Sequence, residues 1–431
     1  MNIASARRRP IRSPGLPLAV LLGLVFAACG PSPTPSPSLS PSQPLTAPPD
    51  AGAIYRAIAA QVSTIRQLDA PDRVEPEVID GPTLVANLAK EFATSNPPAE
   101  IAKSERVLKT MGLLPADAGL AKIYLELQGS QVIGYYDPTV KKLFIVSRDG
   151  ALGPIEELTY AHEFTHELQD KHFDLTSLGL DTIKDDSDRA LALLGLVEGD
   201  AVSAQTAWMT ANLTPAQLAQ VAAEAADPAM LAVLARTPRI LLETSLFPYQ
   251  AGATFVGQLQ AEGGYGSVNA AYKDLPTTTE QILHRNASPA SLVPVRPEVP
   301  TNLASFFGAG WTATAQDTFG ELQTRVWLRE GGVAGDIARI AAEGWGGDRL
   351  ALMDGPGGAT AVAWITAWDS PSDAQAFESA ANVAIAGLHL DAQIRRSDPR
   401  VAIVIRSSGG PGDAAVGGIL RALLGPAFII E

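Results

Sequence analysis

The pattern of apolar residues changes its period along the chain. Residues 51–68 and 81–113 carry Ile, Leu, Val and Ala at the spacing of an amphipathic helix, with prolines between them. Strand-type apolar runs then occupy residues 131–136 and 142–146, and the segment between them, Asp137–Lys141, has the composition of a hairpin turn. The pattern therefore predicts a helical region that leads into a small antiparallel β-hairpin.

Longer helical patterns follow the hairpin. Spacing predicts one helix over residues 153–172 and another over residues 187–213, and the stretch Asp185-Asp186-Ser187 is suited to cap the second. Residues 215–272 also have helical spacing. Because proline interrupts a helix, we expect this segment to break at its three internal prolines. They are Pro228, Pro238 and Pro248.

A third region mixes strand and helix patterns after a proline-punctuated connection at residues 286–302. Residues 371–386 have helical spacing and follow Ser370, which is suited to the N-cap position. Four segments are predicted as strands: Arg349–Met353, Ala359–Trp368, Ala392–Arg396 and Val401–Arg406. The predicted fold class is α+β, with a mainly helical region that contains a small antiparallel hairpin or sheet, and a C-terminal α+β region.

The N-terminus has the layout of a secretory signal. Four arginines between residues 7 and 12 precede an apolar run, residues 16–28, that is too short to span a bilayer. The run ends in Phe-Ala-Ala directly before Cys29, which is the only cysteine of the chain. This arrangement resembles a bacterial lipoprotein cleavage site and predicts a lipid on Cys29. The alternative is an ordinary secretory signal followed by an incidental cysteine.

The segment after Cys29 is rich in proline, serine and threonine up to residue 50. Such a tract cannot bury a core and favours extended conformations, so residues 29–50 are predicted to form a stalk after a signal peptide at residues 1–28. We therefore expect an extracytoplasmic protein that is anchored to the cell membrane through the lipid on Cys29.

Composition excludes several classes of function. Hydrophobic residues make up 46% of the chain and charged residues 18%, which is typical of a folded protein. The net charge is −14, and an acidic chain without a basic stripe is a poor partner for nucleic acid. A single cysteine excludes a disulfide framework within the chain and a cysteine-rich metal site.

The candidate chemistry lies in the sequence His-Glu-Phe-Thr-His at residues 162–166. Residues four apart lie on one face of a helix, so His162 and His166 can direct two imidazoles at one metal ion. Glu163 is one step around the helix, beside the metal but not bound to it, where a general base for water has to lie. The motif therefore predicts a metal site within a largely buried helix.

Two residues are candidates for the third metal ligand. Glu198 lies in an apolar helical stretch, where a carboxylate is costly unless it binds a cation or a hydrogen-bond partner. We favour Glu198, and expect Gly195 and Gly199 to let its helix approach another closely. A buried structural carboxylate is the alternative interpretation. His172 has metzincin spacing from the motif, but Gln169 stands where that motif requires glycine.

The motif followed by a glutamate on a later helix resembles the gluzincin group of zinc metallopeptidases. The stretches Ala161–Asp170 and Leu196–Ala201 also resemble bacterial lipoprotein members of that group without a defined substrate, over residues 115–285. The resemblance implies a zincin-like metallopeptidase domain at residues 51–300, before the C-terminal region at residues 301–431. It also implies bound zinc and cleavage of a peptide or protein substrate.

The resemblance raises two further questions about site residues. Many gluzincins orient a ligand histidine with an acid four residues after the glutamate ligand, but this chain has Val202 there. Asp200 is therefore expected to take that role, with Asp170 as an alternative. Related enzymes also use a histidine or tyrosine to stabilise the oxyanion. His284 is the first candidate for this catalytic role; the others are Tyr135 and Tyr136. His284 at a helix end with a purely structural role is equally compatible.

A second hypothesis is an inactive zincin-like lipoprotein that acts as a cell-envelope binding or scaffold protein. Five of the six tryptophans lie in residues 303–431, where they can line a ligand groove or pack in a core. The presence of Glu163 favours an enzyme, because a purely structural zinc site needs no base. The strand at residues 131–136 can bind an extended substrate by strand addition.

Overall fold

The computed structural model describes residues 18–19, 51–72, 75–146, 152–285 and 293–425. These residues form a mixed α+β structure, which confirms the predicted fold class. Cys29, the stalk and nearly all of the predicted signal peptide lie outside the described residues, as does part of the proline-punctuated connection.

Helices make up most of the described structure. In chain order they are α1 (Ala51–Arg66), α2 (Gly81–Ser95), α3 (Pro98–Thr110), α4 (Leu120–Gln131), α5 (Pro154–Phe173), α6 (Ser187–Asn212), α7 (Pro215–Ala225), α8 (Pro228–Arg236), α9 (Arg239–Ala271), α10 (Thr279–Leu283), α11 (Leu303–Phe307), α12 (Gly320–Glu330), α13 (Gly335–Glu343), α14 (Pro371–Gly387) and α15 (Asp413–Leu424). None of them alone is long and apolar enough to cross a membrane, although α7 and α8, bent by 48°, meet that test as a pair.

The strands form two sheets. In chain order they are β1 (Leu18–Ala19), β2 (Glu77–Ile79), β3 (Gly134–Asp137), β4 (Lys142–Val146), β5 (Thr312–Asp317), β6 (Trp345–Asp354), β7 (Thr360–Trp368), β8 (Asp391–Ser397) and β9 (Arg400–Arg406). The small sheet has the order β1-β3-β4-β2, and the C-terminal sheet has the order β5-β6-β7-β9-β8. Every neighbouring pair is antiparallel except β2 and β4.

The predicted hairpin is present as β3 and β4, with Tyr136 opposite Leu143. Its second strand has the predicted bounds, but the first strand begins later than expected. Residue Gln131 still belongs to α4, because the helix ends only where the backbone N–H of Val132 bonds to the carbonyl of Gln128. A short apolar run does not distinguish the end of a buried helix from the start of a strand.

Helix α9 departs from the expected breaks. It continues through Pro248, so the predicted break at this proline is wrong, and its backbone leaves helical geometry instead at Gly263 and Gly264. Pro248 is buried among the core residues of α9, where packing compensates for one missing backbone hydrogen bond. The breaks before Pro228 and at Pro238 are confirmed, since α7, α8 and α9 are separate helices there.

The C-terminal sheet is covered on both faces. Alternate residues of β6, β7 and β9 point to α12, α13 and α14 on one face and to α11 and α15 on the other. Trp327, Trp345 and Trp364 are at most 1% exposed, so these tryptophans pack in the core and do not line a groove.

The core of the C-terminal region continues into the helical region. One apolar cluster contains residues of α3, α6, α9, α12 and the sheet. The indole N–H of Trp327 also donates a hydrogen bond of 3.1 Å to the carbonyl of Met111, across the boundary between the two regions. The C-terminal region is therefore packed against the helices that carry the candidate site.

Candidate metal centre

Helix α5 places the two histidines of the motif. It begins at Pro154, whose missing N–H costs nothing at a helix start, and the side chain of Glu156 accepts a hydrogen bond of 3.0 Å from the N–H of Gly153. The helix runs through the core, where His162 and His166 are fully buried. Their Nε2 atoms lie 3.1 Å apart, as the four-residue spacing predicts.

Helix α6 brings Glu198 to the same point. Its Oε2 atom lies 3.2 Å from Nε2 of His162 and 3.4 Å from Nε2 of His166. Two nitrogens and one oxygen at the corners of a tetrahedron with bonds of about 2.0–2.1 Å are about 3.3 Å apart. The three side chains therefore form a buried group that could hold a metal ion.

Two glutamines fix the orientation of the imidazoles. His166 donates from Nδ1 to Oε1 of Gln169 at 2.8 Å, and His162 has its Nδ1 3.4 Å from Oε1 of Gln205. The amide nitrogens of both glutamines donate to backbone carbonyls, so their oxygens have to face the rings. With Nδ1 protonated, each Nε2 presents a lone pair to the centre of the group.

The charges in this group are strongly coupled. Burial opposes the charged form of each side chain, but the attraction between Glu198 and the two imidazoles outweighs it for the carboxylate and lowers the pKa of Glu198 to about 2. The same carboxylate raises the pKa of His166 to about 9 despite burial, whereas burial lowers the pKa of His162. Three acceptor atoms at this separation require a shared cation, which is a proton or a metal ion.

Glu163 lies beside this group without belonging to it. The side chain is fully buried, and no side chain among the described residues donates a hydrogen bond to its carboxylate. Burial, reinforced by the charge of Glu198, raises its pKa to about 8, although the charge of His166 and a hydrogen bond from the backbone of Tyr136 oppose the shift. A buried carboxylate with so few hydrogen-bond donors is costly, which is consistent with a side chain that interacts with a further group.

Asp200 reaches a ligand histidine only through another residue. Its Oδ2 atom accepts a hydrogen bond of 3.0 Å from Nε2 of Gln169, which in turn accepts one from His166. Asp200 therefore contacts His166 only through Gln169, and its role in orienting a metal ligand stays a prediction. Asp170 does not contact the group and instead accepts hydrogen bonds from Tyr136 and Lys141 of the hairpin.

The other candidates bind elsewhere. His172 is exposed at the end of α5, with Nε2 3.0 Å from the carbonyl of Asp69, and does not join the metal group. His284 was expected to contact the reacting carbonyl, but its imidazole makes a different contact in the structure. Nε2 of His284 pairs with Glu321 at 2.8 Å, which corresponds to the structural alternative.

The tyrosine alternatives have partners of their own. The hydroxyl of Tyr136 donates to Asp170 at 2.7 Å, and the hydroxyl of Tyr135 accepts from Asn87 at 3.0 Å. The buried ring of Tyr249, on α9, lies 6.2 Å from the ring of His162 and escaped the sequence interpretation. The sequence interpretation also missed the roles of Gln169 and Gln205. Gln169 lies on the same face of α5 as His166, and Gln205 lies on the same face of α6 as Glu198, so helical spacing could have indicated both.

Comparisons with known proteins concern the C-terminal region. A family described as Domain of unknown function (DUF8575) matches residues 308–416. No curated protein and no solved structure matches the chain. The matched segment contains the C-terminal sheet and helices α12, α13 and α14, whereas His162, His166 and Glu198 lie before it.

Proposed function

We propose that the chain is a zinc-dependent peptide hydrolase of the gluzincin type. The single observation that carries this proposal is Glu163, a fully buried carboxylate that lies beside a group of two histidines and a glutamate and that receives no side-chain hydrogen bond from the described residues. A structural metal site is normally closed by four protein ligands, whereas the described residues supply three here, which leaves a position for water.

Zinc is the ion that this donor set fits best. Two imidazole nitrogens and one carboxylate oxygen at tetrahedral separations are the ligands of catalytic zinc sites, and His162, His166 and Glu198 would hold the ion. When bound, zinc acidifies a water molecule and polarises the carbonyl of the scissile bond.

Glu163 supplies the proton transfers of the reaction. Its carboxylate accepts a proton from the attacking water and passes it to the leaving amine nitrogen, which has to be protonated before it departs. A carboxylate that accepts several hydrogen bonds would be a weaker base, so the lack of side-chain donors to Glu163 among the described residues suits this role. The oxyanion would be stabilised mainly by the ion, and Tyr249, whose buried ring lies 6.2 Å from the ring of His162, is proposed as the second donor.

The substrate class is an extended peptide. Strand β3 has an edge at which the backbone of Leu18–Ala19 pairs antiparallel with Tyr135 and Tyr136. The backbone of Tyr136 also faces Glu163, so a segment added to this edge passes beside the base. Removal of a signal peptide at residues 1–28 would free the edge for a substrate. We further propose that the mature protein acts at the membrane surface, anchored through Cys29.

The test compares two isosteric substitutions one turn apart on α5. Glu163→Gln retains size but cannot accept a proton, so it should lower cleavage of a peptide library by about 10²–10⁴-fold and leave the zinc content unchanged. Glu167→Gln, on a half-buried position of the same helix, is the control and should retain activity. Wild-type cleavage rates for Glu163→Gln would exclude this mechanism.

A further inference from the structure

Arg66 is a buried cation far from the motif in sequence. It is the last residue of α1, and its side chain is fully buried. Its Nε atom lies 2.7 Å from Oδ1 of Asp200, and Nη2 donates a hydrogen bond of 2.8 Å to Asn269. The guanidinium carbon also lies 4.7 Å from the ring centroid of Tyr265. A fully buried charged side chain is tolerated in a folded protein only where polar partners are held in place around it.

Asp200 divides its two oxygens between Arg66 and the metal centre. Oδ1 faces the guanidinium, whereas Oδ2 accepts hydrogen bonds of 3.0 Å from Gln169 and from the hydroxyl of Tyr272. All four side chains are at most 6% exposed. A carboxylate held from both sides in this way cannot rotate without breaking a charged contact.

Gln169 transmits this constraint to a ligand. Both hydrogens of its amide nitrogen are used, one by Asp200 and one by the carbonyl of Val197. The amide oxygen therefore faces Nδ1 of His166 at 2.8 Å. If the amide turned over, its nitrogen would face Nδ1, the ring proton would move to Nε2, and the lone pair would no longer point to the ion.

We propose that Arg66 is a positioning residue of the metal centre, which acts on His166 through a continuous set of contacts. These contacts, called the Arg66 relay below, join Arg66, Asp200, Gln169 and His166. The proposal rests on the proposed metal site but requires no particular substrate. Because α1 is the first helix after the stalk, the relay also couples the docking of this helix to metal affinity.

The first experiment measures zinc affinity by competition with a chelator in the mature chain without its lipid. Arg66→Met should weaken zinc binding by about 10–100-fold, as is usual for residues that orient a ligand, and should change the absorption spectrum of the cobalt-substituted protein. Arg66→Lys retains the charge and should recover part of the loss. The control is Arg56→Ala, on the same helix, which removes an exposed ion pair with Glu75 and should change neither readout.

A double-mutant cycle separates the relay from a general loss of stability. If Arg66 acts through Gln169, Arg66→Met should have little further effect on zinc affinity in a Gln169→Ala background. Additive losses, or wild-type zinc affinity in folded Arg66→Met, would overturn the relay. Should Arg66→Met fail to fold, Asp200→Asn replaces it in the cycle with the same expected coupling and the same excluding results.

The outcomes also distinguish the relay from the proposed function. If the protein binds zinc with the expected coupling but cleaves no peptide, the relay is supported and the proposed hydrolase function is refuted. Conversely, if the protein is a hydrolase but Arg66→Met and Asp200→Asn leave its zinc affinity and cobalt spectrum unchanged, the relay is refuted and the proposed function stands.

Discussion

Gly199 of α6 lies directly against Gly252 of α9, and neither position has room for a side chain. A Cβ atom added to Gly199 would be 2.2 Å from the carbonyl carbon of Gly252, and one added to Gly252 would be 2.2 Å from the carbonyl oxygen of Gly195. The helices cross at backbone contact next to Glu198, which confirms the expected close approach at Gly195 and Gly199. Glu198, the proposed metal ligand, thus lies beside one of the tightest contacts in the described chain.

Gly199→Ala should destabilise the protein and weaken its metal site. Overpacking at a rigid helix crossing typically costs about 1–3 kcal/mol, and separation of α6 from α9 would also displace Glu198. Urea unfolding and chelator competition measure the two effects. Gly257→Ala is the matched control, because a Cβ there meets no atom within 4 Å and alanine favours a helix. Equal stability of the two variants would contradict this interpretation of the contact.

Removal of either of two proposed ligands should abolish tight zinc binding. His166→Ala and Glu198→Ala each leave two ligands, and such a site loses zinc to a chelator. The stabilisation that zinc gives to the folded protein should disappear in the same variants. His172→Ala serves as the control because this histidine is exposed and bonds to the backbone of Asp69. Stoichiometric zinc in His166→Ala after chelation would refute the ligand assignment.

Glu280 should make stability fall as the pH rises. It is 2% exposed, and burial followed by the charges of Glu321, Asp369 and Asp188 raises its pKa from 4.5 to about 9. Between these values the unfolded chain has released the proton that the folded protein retains, so the free energy of unfolding decreases with pH across this interval. Glu280→Gln should lose less stability between pH 5 and pH 8 than the wild type.

Urea unfolding at the two pH values checks this prediction. Glu298→Gln is the control, since this glutamate is exposed on the connection before the C-terminal region. The prediction fails if Glu280→Gln and the wild type show the same dependence on pH.

Cys29→Ser should release the protein from the membrane. Without the thiol no lipid can be attached, and the predicted stalk alone has no affinity for a bilayer. Cell fractionation and the mass of the mature N-terminus measure the change. Ser36→Ala, within the same proline-rich tract, should leave the protein in the membrane fraction. Unchanged processing and membrane retention of Cys29→Ser would argue for an ordinary secretory signal.

The local sequence determined the helix of the motif and the geometry of its two histidines. A four-residue interval fixes neighbours on one face of any helix, so the approach of His162 and His166 needed no information from the rest of the chain. The choice of Glu198 was also accessible, because a carboxylate among apolar residues needs a cation or another strong partner. The second strand of the hairpin and the start of α6 followed from equally local signals.

Only the tertiary structure decided which side chains support these ligands. Arg66 reaches Asp200 across a long stretch of sequence, and no periodicity encodes a contact between helices that far apart. The same limit applies to the pairing of His284 with Glu321 of the C-terminal region, which no local pattern encodes. Likewise, α9 continues through Pro248 because packing outweighs one lost hydrogen bond. Local patterns specify faces and caps, whereas the pairing of those faces depends on the packing of the whole core.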